Sequence, residues 1–315
     1  MIAPVVPVLP ETIALAVEIL SEGGLVAIPT ETVYGLAADA SNADAVARLY
    51  AAKGRPQFNP LIAHIASLGM AEAEAEFSPM ARRCAEAFWP GPLTLVLPVR
   101  AETRISDLAR AGLDSVGLRW PDNKAAQALI TVLGRPVVAP SANKSGHVSP
   151  TRADHVAADL GSKIDLILDG GPCRVGMEST ILGFDGDEPV LLRPGGIARE
   201  EIEAKLGVKV RAYTDQGSIN APGQLKSHYA PKARLRLNAS APEEGEGYLG
   251  FGPSSTAGIN LSPTGDLAEA ATKLFAMLRA LDERFDRIAV APIPQEGLGE
   301  AINDRLARAA WREDK

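Results

Sequence analysis

Two cations separated by one glycine form the first segment whose residue types suggest chemistry. Lys53 and Arg55 flank Gly54, and Pro56 follows. Residues two apart in an extended chain point to the same side, so we expect both cations to face one ligand. A guanidinium fork and a compact ammonium group suit a chain of phosphates. A pair of solvated surface charges is the alternative.

Polar side chains also stand in or just after short apolar runs, and strand ends are where open α/β sheets bind ligands. Thr30, Glu31 and Thr32 follow one such run, with turn and capping chemistry as the alternative. Arg119 ends another run and suits a carboxylate, although a structural salt bridge is the alternative. His64 stands within a third run, where a buried core histidine is the alternative to a ligand contact.

Two further segments offer hydroxyl and amide groups. Residues 140–147 read Pro-Ser-Ala-Asn-Lys-Ser-Gly-His, and residues 176–180 read Gly-Met-Glu-Ser-Thr, with Arg193 at the end of the following strand. Backbone N–H groups and hydroxyls in such loops bind anions. A polar turn without a ligand is the alternative.

The motifs of several other enzyme classes are missing. The sequence contains no G-x-x-x-x-G-K-[ST] run, so an ATP site here is not a P-loop. It contains neither G-x-S-x-G nor H-E-x-x-H. Residues 245–250 match G-x-G-x-x-G, but a polar loop precedes them and a strand follows, which argues against a dinucleotide site. The chemistry therefore needs positioning and charge rather than a covalent nucleophile.

The charge balance argues against a broad nucleic-acid surface. The net charge is −7, and residues 1–212 carry 20 Lys and Arg against 25 Asp and Glu. The remaining residues carry 12 against 14, so neither part is basic. Tight binding to a nucleic-acid backbone usually needs a basic face. We therefore expect no strong direct nucleic-acid binding.

The chain also lacks the marks of secretion or membrane insertion. It has two cysteines, Cys84 and Cys173, and neither a secretory signal nor a run of about 20 apolar residues. Two distant thiols form neither a disulfide framework nor a zinc site. We expect a cytoplasmic protein with reduced thiols.

Short apolar strands alternate with amphipathic helices up to about residue 211, which predicts an α/β domain with a helix-covered sheet over residues 1–211. Residues 212–233 contain Pro and Gly and no periodic element, which indicates a linker. This segment is also basic and aromatic, so a lid over an anionic ligand is the alternative to a passive tether. Residues 234–315 predict a small α/β domain.

Taken together, these segments resemble the YrdC-type threonylcarbamoyl-AMP synthase family in its long, two-domain form. Two motifs carry the resemblance with high specificity. One is the K-x-R pair of Lys53 and Arg55, and the other is the S-x-N pair of Ser141 and Asn143.

The resemblance covers residues 7–196, resumes at residues 227–231, which read Ser-His-Tyr-Ala-Pro, and is weaker beyond them. The sequence departs from the family at one position. The family often reads S-T-x-x-D, whereas here residues 179–182 are followed by Gly183. The role of that acid in relatives is therefore in doubt for this chain.

The resemblance implies a reaction and a fold. In the family, bicarbonate carboxylates the nitrogen of L-threonine, and the carbamate attacks the α-phosphorus of ATP to release pyrophosphate. The product, threonylcarbamoyl-adenylate, passes to a transferase that modifies an adenine beside the tRNA anticodon. Mg²⁺ accompanies ATP, and no organic cofactor is expected. The implied fold is an open, twisted sheet with a large concave cavity, joined by a lid-like linker to a small Rossmann-like domain.

The resemblance also implies site residues. The implied threonine site consists of Thr32, His64, Arg119 and Ser179, with Arg119 on the carboxylate. The implied ATP site consists of Lys53, Arg55, Asn59, Ser115, Ser141, Asn143, Arg193 and Tyr229. Lys53 and Arg55 are the expected catalytic groups, because fixed cations stabilise the charge that develops on phosphate oxygens. The resemblance names no protein ligand for the metal.

Three other functions compete with this interpretation. An RNA-binding module without nucleotide turnover would need a basic face, which the charge balance disfavours. A carbamoyl-phosphate-using transferase would be expected to carry zinc-finger cysteines, which this chain lacks. An interaction scaffold with a decayed site is disfavoured by the intact cation and hydroxyl pairs.

Overall fold

The computed structural model describes residues 2–213, 228–253, 256 and 258–311. Residues 214–227 of the predicted linker, including the Ser227 that opens the Ser-His-Tyr-Ala-Pro motif, lie outside the described residues.

A large mixed sheet forms the centre of residues 2–213. Its strands are β1 (Val5–Pro7), β2 (Val26–Ile28), β3 (Gly35–Asp39), β4 (Ile62–His64), β5 (Leu93–Pro98), β6 (Ser115–Arg119), β7 (Val137–Val138), β8 (Leu166–Asp169), β9 (Thr180–Asp185), β10 (Glu188–Arg193) and β11 (Arg211–Ala212). Their order across the sheet is β1-β8-β2-β3-β7-β4-β6-β5-β9-β10-β11. Parallel pairs such as β4–β6 alternate with antiparallel pairs such as β5–β6.

Helices cover this sheet and bury apolar faces against it. They are α1 (Pro10–Ser21), α2 (Ala43–Lys53), α3 (Leu68–Glu74), α4 (Pro79–Phe88), α5 (Asp107–Arg110), α6 (Lys124–Leu133), α7 (Ala153–Leu160) and α8 (Arg199–Leu206). Local signals set the ends of α2. The side chain of Asn42 accepts hydrogen bonds from the first turn, and Gly54 ends the helix in a left-handed conformation with φ of 61°.

Residues 234–311 form a second, smaller unit around a four-stranded sheet. Its strands are β12 (Arg234–Arg236), β13 (Gly247–Gly250), β14 (Ile259–Asn260) and β15 (Arg287–Val290), in the order β12-β15-β13-β14, and all pairs are parallel. Its helices are α9 (Leu267–Asp282) and α10 (Leu298–Ala310). The predicted α/β class is therefore confirmed. The G-x-G-x-x-G match ends in β13 and opens no helix, as its context predicted.

The two units share one apolar cluster. Val33, Val148 and Met177 of the first unit pack with the buried face of α9. Gly176 approaches α9 so closely that a Cβ there would lie 2.3 Å from the Thr272 carbonyl oxygen. The second unit therefore rests directly on the segment that leads to Ser179.

Strand β3 (Gly35–Asp39) was not predicted. Its sequence Gly-Leu-Ala-Ala-Asp has neither β-branched residues nor alternation, so local propensity does not indicate a strand. It is a strand because it pairs antiparallel with β2 on one side and with β7 on the other. Among the described residues, no helix combines the length and apolar composition needed to cross a bilayer.

Candidate functional site

A small cavity lies where several strands of the large sheet end, and its volume is about 50 Å³. It is lined by Thr32, Val33, Arg55, Ile62, His64, Arg119, Ala139, Pro140, Ser141, Glu178, Ser179, Arg193, His228 and Tyr229. The structure thus brings together eight of the predicted site residues, which come from separate segments of the chain. These eight are Thr32, Arg55, His64, Arg119, Ser141, Ser179, Arg193 and Tyr229.

The K-x-R and S-x-N pairs meet beside this cavity. The ammonium group of Lys53 donates hydrogen bonds to the carbonyl oxygens of Ser141, at 2.5 Å, and of Asn143, at 2.6 Å. The prediction that Lys53 and Arg55 share an extended segment is wrong, because Lys53 ends helix α2 and Gly54 turns the chain. The two cations nevertheless converge, since the left-handed turn brings Arg55 back over the helix end.

Arg55 shapes the loop that carries Asn59. Its guanidinium donates to the carbonyl oxygens of Asn59, at 3.3 Å, and of Pro60, at 3.0 Å. Burial lowers the pKa of Arg55 to about 10, so the group remains a cation at neutral pH. The buried side-chain amide of Asn59 has no hydrogen-bond partner among the described residues, and neither has the side-chain oxygen of Asn143. The whole amide of Asn59 is therefore available to a ligand, whereas Asn143 offers only its oxygen, because its NH₂ group donates to the carbonyl oxygens of Lys144 and His147.

Hydroxyl groups on the threonine side of the site are paired with one another. Thr32 and Thr30 share a hydrogen bond of 2.8 Å, and Ser179 and Thr94 share one of 2.7 Å. Either oxygen can be the donor in each pair, so the lone pairs that remain, or the proton of the accepting hydroxyl, can serve a ligand.

His64 is buried and also lines the cavity. The two roles that the sequence left open, a buried core histidine and a ligand contact, are therefore compatible. Its Nδ1 lies 3.3 Å from the carbonyl oxygen of Ile62. Burial, followed by the cation of Arg119, lowers the pKa of His64 to about 3. The imidazole is therefore neutral and acts as a hydrogen-bonding group rather than a charge.

Arg119 forms the salt bridge that the sequence left open as its alternative role. Its Nη2 lies 2.7 Å from Oε1 of Glu31, and both side chains are buried. Arg119 also lines the cavity, so the salt bridge and a ligand contact do not exclude each other. Glu31 supplies a buried counter-charge to the guanidinium, while Nε and Nη2 of Arg119 make no hydrogen bond within the described residues.

Arg193 links the ends of two strands. Its Nη2 donates to the carbonyl oxygen of Ser179 at 2.8 Å and lies 3.3 Å from the hydroxyl of the same residue. Burial lowers the pKa of Arg193 from its ordinary value. This arginine connects the predicted ATP side of the cavity with the predicted threonine side.

Two residues from the end of the predicted linker close the cavity. The rings of His228 and Tyr229 lie 4.0 Å apart, and Tyr229 stacks on Phe275 of α9 at 5.7 Å. Ligand pockets usually measure about 300–1,000 Å³, so the cavity as it stands is too small for a nucleoside triphosphate. These two side chains must move aside for such a ligand to enter.

Ser115 lies apart from the other predicted residues. It faces a second cavity of about 510 Å³, farther along the strand that ends at Arg119. Gly183 lines the same cavity, and a Cβ on it would lie 2.9 Å from Cδ1 of Leu192. Leu192 thus occupies the space beside the position where relatives often carry Asp.

The predicted threonine and ATP sites omitted several residues that the structure places at the site. Glu31, Glu178 and His228 are each adjacent to a predicted site residue, so their position in the motifs was an available signal. Thr94 lies within an apolar strand, and nothing in its local sequence marks its contact with Ser179.

The described residues contain no group of three or more His, Cys, Asp or Glu side chains placed to hold a metal ion. Glu178 is the carboxylate among the lining residues, and its two oxygens are bonded to Ser149 and Arg305. The walls of this cavity suit an anionic ligand better than a bare cation.

Comparison with known families was made for the whole chain. A Sua5/YciO/YrdC family model described as "Telomere recombination" matches residues 18–195, and one described as "Threonylcarbamoyl-AMP synthase, C-terminal domain" matches residues 197–311. The boundary between them precedes the predicted boundary at residue 211.

Curated relatives and solved structures match almost the full chain. Threonylcarbamoyl-AMP synthase of Bacillus subtilis is 43% identical over 95% of this chain and 92% of its own length. The Pyrococcus abyssi enzyme of the same name is 42% identical over 95% and 94%. The crystal structure of P. abyssi Sua5 complexed with L-threonine has a TM-score of 0.88 at 39% identity and covers 98% of this chain and 97% of its own. Escherichia coli YciO shares the fold of the first unit, with a TM-score of 0.54 at 24% identity.

Proposed function

The chain belongs to the Sua5/YrdC family of threonylcarbamoyl-AMP synthases, and from this premise we propose how its cavity carries out the synthesis. The substrates of the proposed reaction are L-threonine, bicarbonate and ATP, and the products are threonylcarbamoyl-AMP and pyrophosphate. The observation that carries the proposal is the meeting of Lys53 with Ser141 and Asn143 beside a cavity lined by Arg55 and Arg193.

Threonine is assigned to the part of the cavity around Arg119. This guanidinium lines the cavity, and its Nε and Nη2 donors make no hydrogen bond within the described residues, so it suits the substrate carboxylate. The neutral His64 and the paired hydroxyls of Thr32 and Ser179 offer hydrogen bonds to the threonine hydroxyl and amine. The P. abyssi Sua5 structure with L-threonine supports a threonine site in this fold.

ATP is assigned across both cavities. Arg55 and Arg193 place cationic groups at the smaller cavity, where the phosphates meet threonine. Ser115 faces the larger cavity, which has room for the nucleoside. The unpaired amide of Asn59 and the unpaired side-chain oxygen of Asn143 provide further polar contacts. This arrangement requires Tyr229 to leave its present position while ATP enters.

The chemistry consists of two bond-forming steps. The neutral amine of threonine attacks the carbon of bicarbonate, with loss of water, to form an N-carboxylate. An oxygen of this carbamate then attacks the α-phosphorus of ATP, and the bond to the β-phosphate oxygen breaks to release pyrophosphate. Negative charge grows on the phosphates during the second step, and prepositioned cations stabilise it without reorganisation. Carbamates decompose in water, so the closed wall at His228 and Tyr229 protects the intermediate.

We assign Mg²⁺ to the triphosphate rather than to a protein cage. Mg²⁺ usually keeps several waters and binds through substrate phosphates. The cation-lined walls around Arg55 and Arg193 fit a magnesium–ATP complex whose metal contacts are mainly phosphate and water. When bound, the ion neutralises charge on the phosphates and on the leaving pyrophosphate.

The proposal extends to the fate of the product. Threonylcarbamoyl-AMP is a mixed anhydride, which makes it a donor for a tRNA threonylcarbamoyl transferase. We assign the enzyme to the cytoplasm, where buried thiols such as Cys84 and Cys173 stay reduced.

An RNA-binding module is disfavoured by where the cations lie. Lys53, Arg55, Arg119 and Arg193 are all buried, with at most 9% of their surface exposed. A nucleic-acid backbone needs exposed cations along a surface. Buried cations at a small cavity serve a small anionic ligand instead.

The proposal is tested by mass spectrometry of products formed from ATP, bicarbonate and threonine, with pyrophosphate release measured in parallel. We expect threonylcarbamoyl-AMP, with pyrophosphate release that depends on both threonine and bicarbonate. Arg55→Gln should abolish release. Arg174→Gln, at an exposed arginine that pairs with Asp122 outside the cavity, should leave release unchanged. Release without threonine, or none by the wild-type protein, would overturn the proposal.

A further inference from the structure

Arg305 is a fully buried cation that belongs to the second unit, on helix α10. Its side chain extends to the first unit, where it contacts Glu178, a residue that lines the cavity. Burial of a charge is costly unless hydrogen-bonded partners compensate it. The hydrogen-bond and ring partners of Arg305 therefore indicate its role in the protein.

Two of those partners belong to the first unit and stand beside predicted site residues. Nε of Arg305 donates to Oε2 of Glu178 at 2.9 Å, and Nη2 donates to the carbonyl oxygen of Pro194 at 2.9 Å. Glu178 directly precedes Ser179, and Pro194 directly follows Arg193. One guanidinium thus binds the carboxylate side chain that precedes Ser179 and the backbone carbonyl that follows Arg193.

The same guanidinium supports the linker residue that closes the cavity. Its central carbon lies 4.8 Å from the ring centroid of Tyr229, in the geometry of a cation–π contact. Tyr229 has a left-handed backbone with φ of 59°, an unfavourable conformation for a bulky residue. Such a conformation persists only where the surroundings determine it. Arg305 on one side and Phe275 on the other provide those surroundings.

Two further contacts fix the guanidinium of Arg305 and its partner Glu178. The other oxygen of Glu178 accepts a hydrogen bond of 2.5 Å from Ser149, and Asp304 pairs with Nη1 of Arg305. The planar guanidinium therefore engages an acid in each unit, one backbone carbonyl and one aromatic ring. A lysine ammonium, with a single nitrogen, cannot meet all four.

We propose that Arg305 is a positioning residue through which the second unit holds Tyr229 and the Glu178–Ser179 wall together in the closed site. The proposal rests on the proposed function, because it assigns the second unit a role in that same cavity. Arg305 does not line the cavity and acts through the residues that do.

The test compares Arg305→Met and Arg305→Lys with Glu300→Gln in the full-length protein. Glu300 is the matched control, because it also lies on α10 and pairs across the units, with Arg199, away from Tyr229. Pyrophosphate release yields kcat and KM for ATP and threonine. A misplaced group costs roughly 100-fold in such sites, and we expect a loss of that order in kcat/KM for both Arg305 variants. Glu300→Gln should remain within about twofold, since partly exposed pairs contribute little.

Amide hydrogen exchange separates a local effect from a general loss of stability, because a general loss would also accelerate exchange in the centre of the large sheet. The Ala230 N–H donates to the carbonyl oxygen of Gly146 at 2.7 Å and reports whether the residue after Tyr229 is docked. We expect its exchange to accelerate in both Arg305 variants, while amides in the centre of the large sheet keep the rates of the control. If Arg305→Met does not fold, Arg305→Lys carries the comparison.

Two results would overturn the positioning role. One is a kcat/KM for Arg305→Lys or Arg305→Met equal to that of Glu300→Gln. The other is unchanged exchange at Ala230. Failure of the proposed function would look different, because the wild-type protein would then release no pyrophosphate while the exchange at Ala230 still responded to Arg305 substitution.

Discussion

Nη2 of Arg119 lies 2.7 Å from Oε1 of Glu31, and both side chains are almost wholly buried, so a predicted threonine ligand carries its own counter-ion. Glu31 thus supplies the counter-charge of a buried arginine before substrate arrives. In the proposed complex, the carboxylate of threonine is the second acidic group that contacts the guanidinium of Arg119, after Glu31.

Glu31→Gln should destabilise the protein and strengthen its response to threonine. Removing one partner of a buried pair typically costs about 3–5 kcal/mol, because an uncompensated charge remains. A threonine carboxylate on Arg119 would replace the missing charge. We therefore expect threonine to raise the Tm of Glu31→Gln more than that of the wild type, as measured by differential scanning fluorimetry. Asp122→Asn, in an exposed pair, is the control. Equal threonine shifts in both proteins would show that Arg119 does not bind the carboxylate.

Lys53→Met should remove both activity and stability. The buried ammonium of Lys53 bridges two backbone carbonyls of residues 141 and 143, and hydrogen bonds to charged groups contribute about 1.5–3 kcal/mol each. We expect loss of pyrophosphate release together with a lower urea midpoint. Lys144→Met, at an exposed lysine of the same loop, should change neither. Lost activity at an unchanged midpoint would mean that Lys53 serves the substrate alone.

Gly183→Asp, which restores the acid common in relatives, should be accommodated by this chain. The new Cβ would lie 2.9 Å from Cδ1 of Leu192, which is the end of a flexible, half-buried side chain that lines the same cavity and can rotate into it. We therefore expect the free energy of unfolding to fall by less than the roughly 1–3 kcal/mol that an overpacked core costs. Urea denaturation of the variant and the wild type measures the difference, and a loss above that range would show that Leu192 cannot move.

Stability should fall as pH drops below about 6.5, and His64 should contribute one proton to that dependence. Its pKa is lowered to about 3 in the folded protein from an ordinary 6.5. Above 6.5 neither state is protonated, whereas between 6.5 and 3 the unfolded chain binds a proton that the folded protein does not. Each such proton costs the folded state about 1.4 kcal/mol per pH unit.

His64→Gln should therefore reduce the slope of unfolding free energy against pH in that range. His155 and His228, whose pKa values are also lowered by burial, would maintain the remaining slope. Urea titrations at pH 7, 6 and 5 give the comparison. Identical slopes for the variant and the wild type would show that His64 is protonated in the fold.

The sequence by itself determined the α/β class and most of the segments that supply the site. These features are local. Asn42 and Gly54 mark the two ends of α2, and the K-x-R and S-x-N pairs are visible in runs of three residues. Six of the eight predicted residues that line one cavity stand at or near the end of a strand of the large sheet, where strand ends gather at one edge. The other two are Arg55, which follows helix α2, and Tyr229, which comes from the end of the predicted linker.

Only the tertiary structure decided which groups face one another. Glu31 and Arg119 are 88 positions apart, as are Lys53 and Ser141, and Arg305 meets Glu178 across 127 positions. Periodicity and propensity describe the neighbours of a residue within its own helix or strand. They contain no information about a distant partner that the order of strands brings close. For the same reason β3 escaped detection, because pairing on both sides, rather than its own residues, makes it a strand.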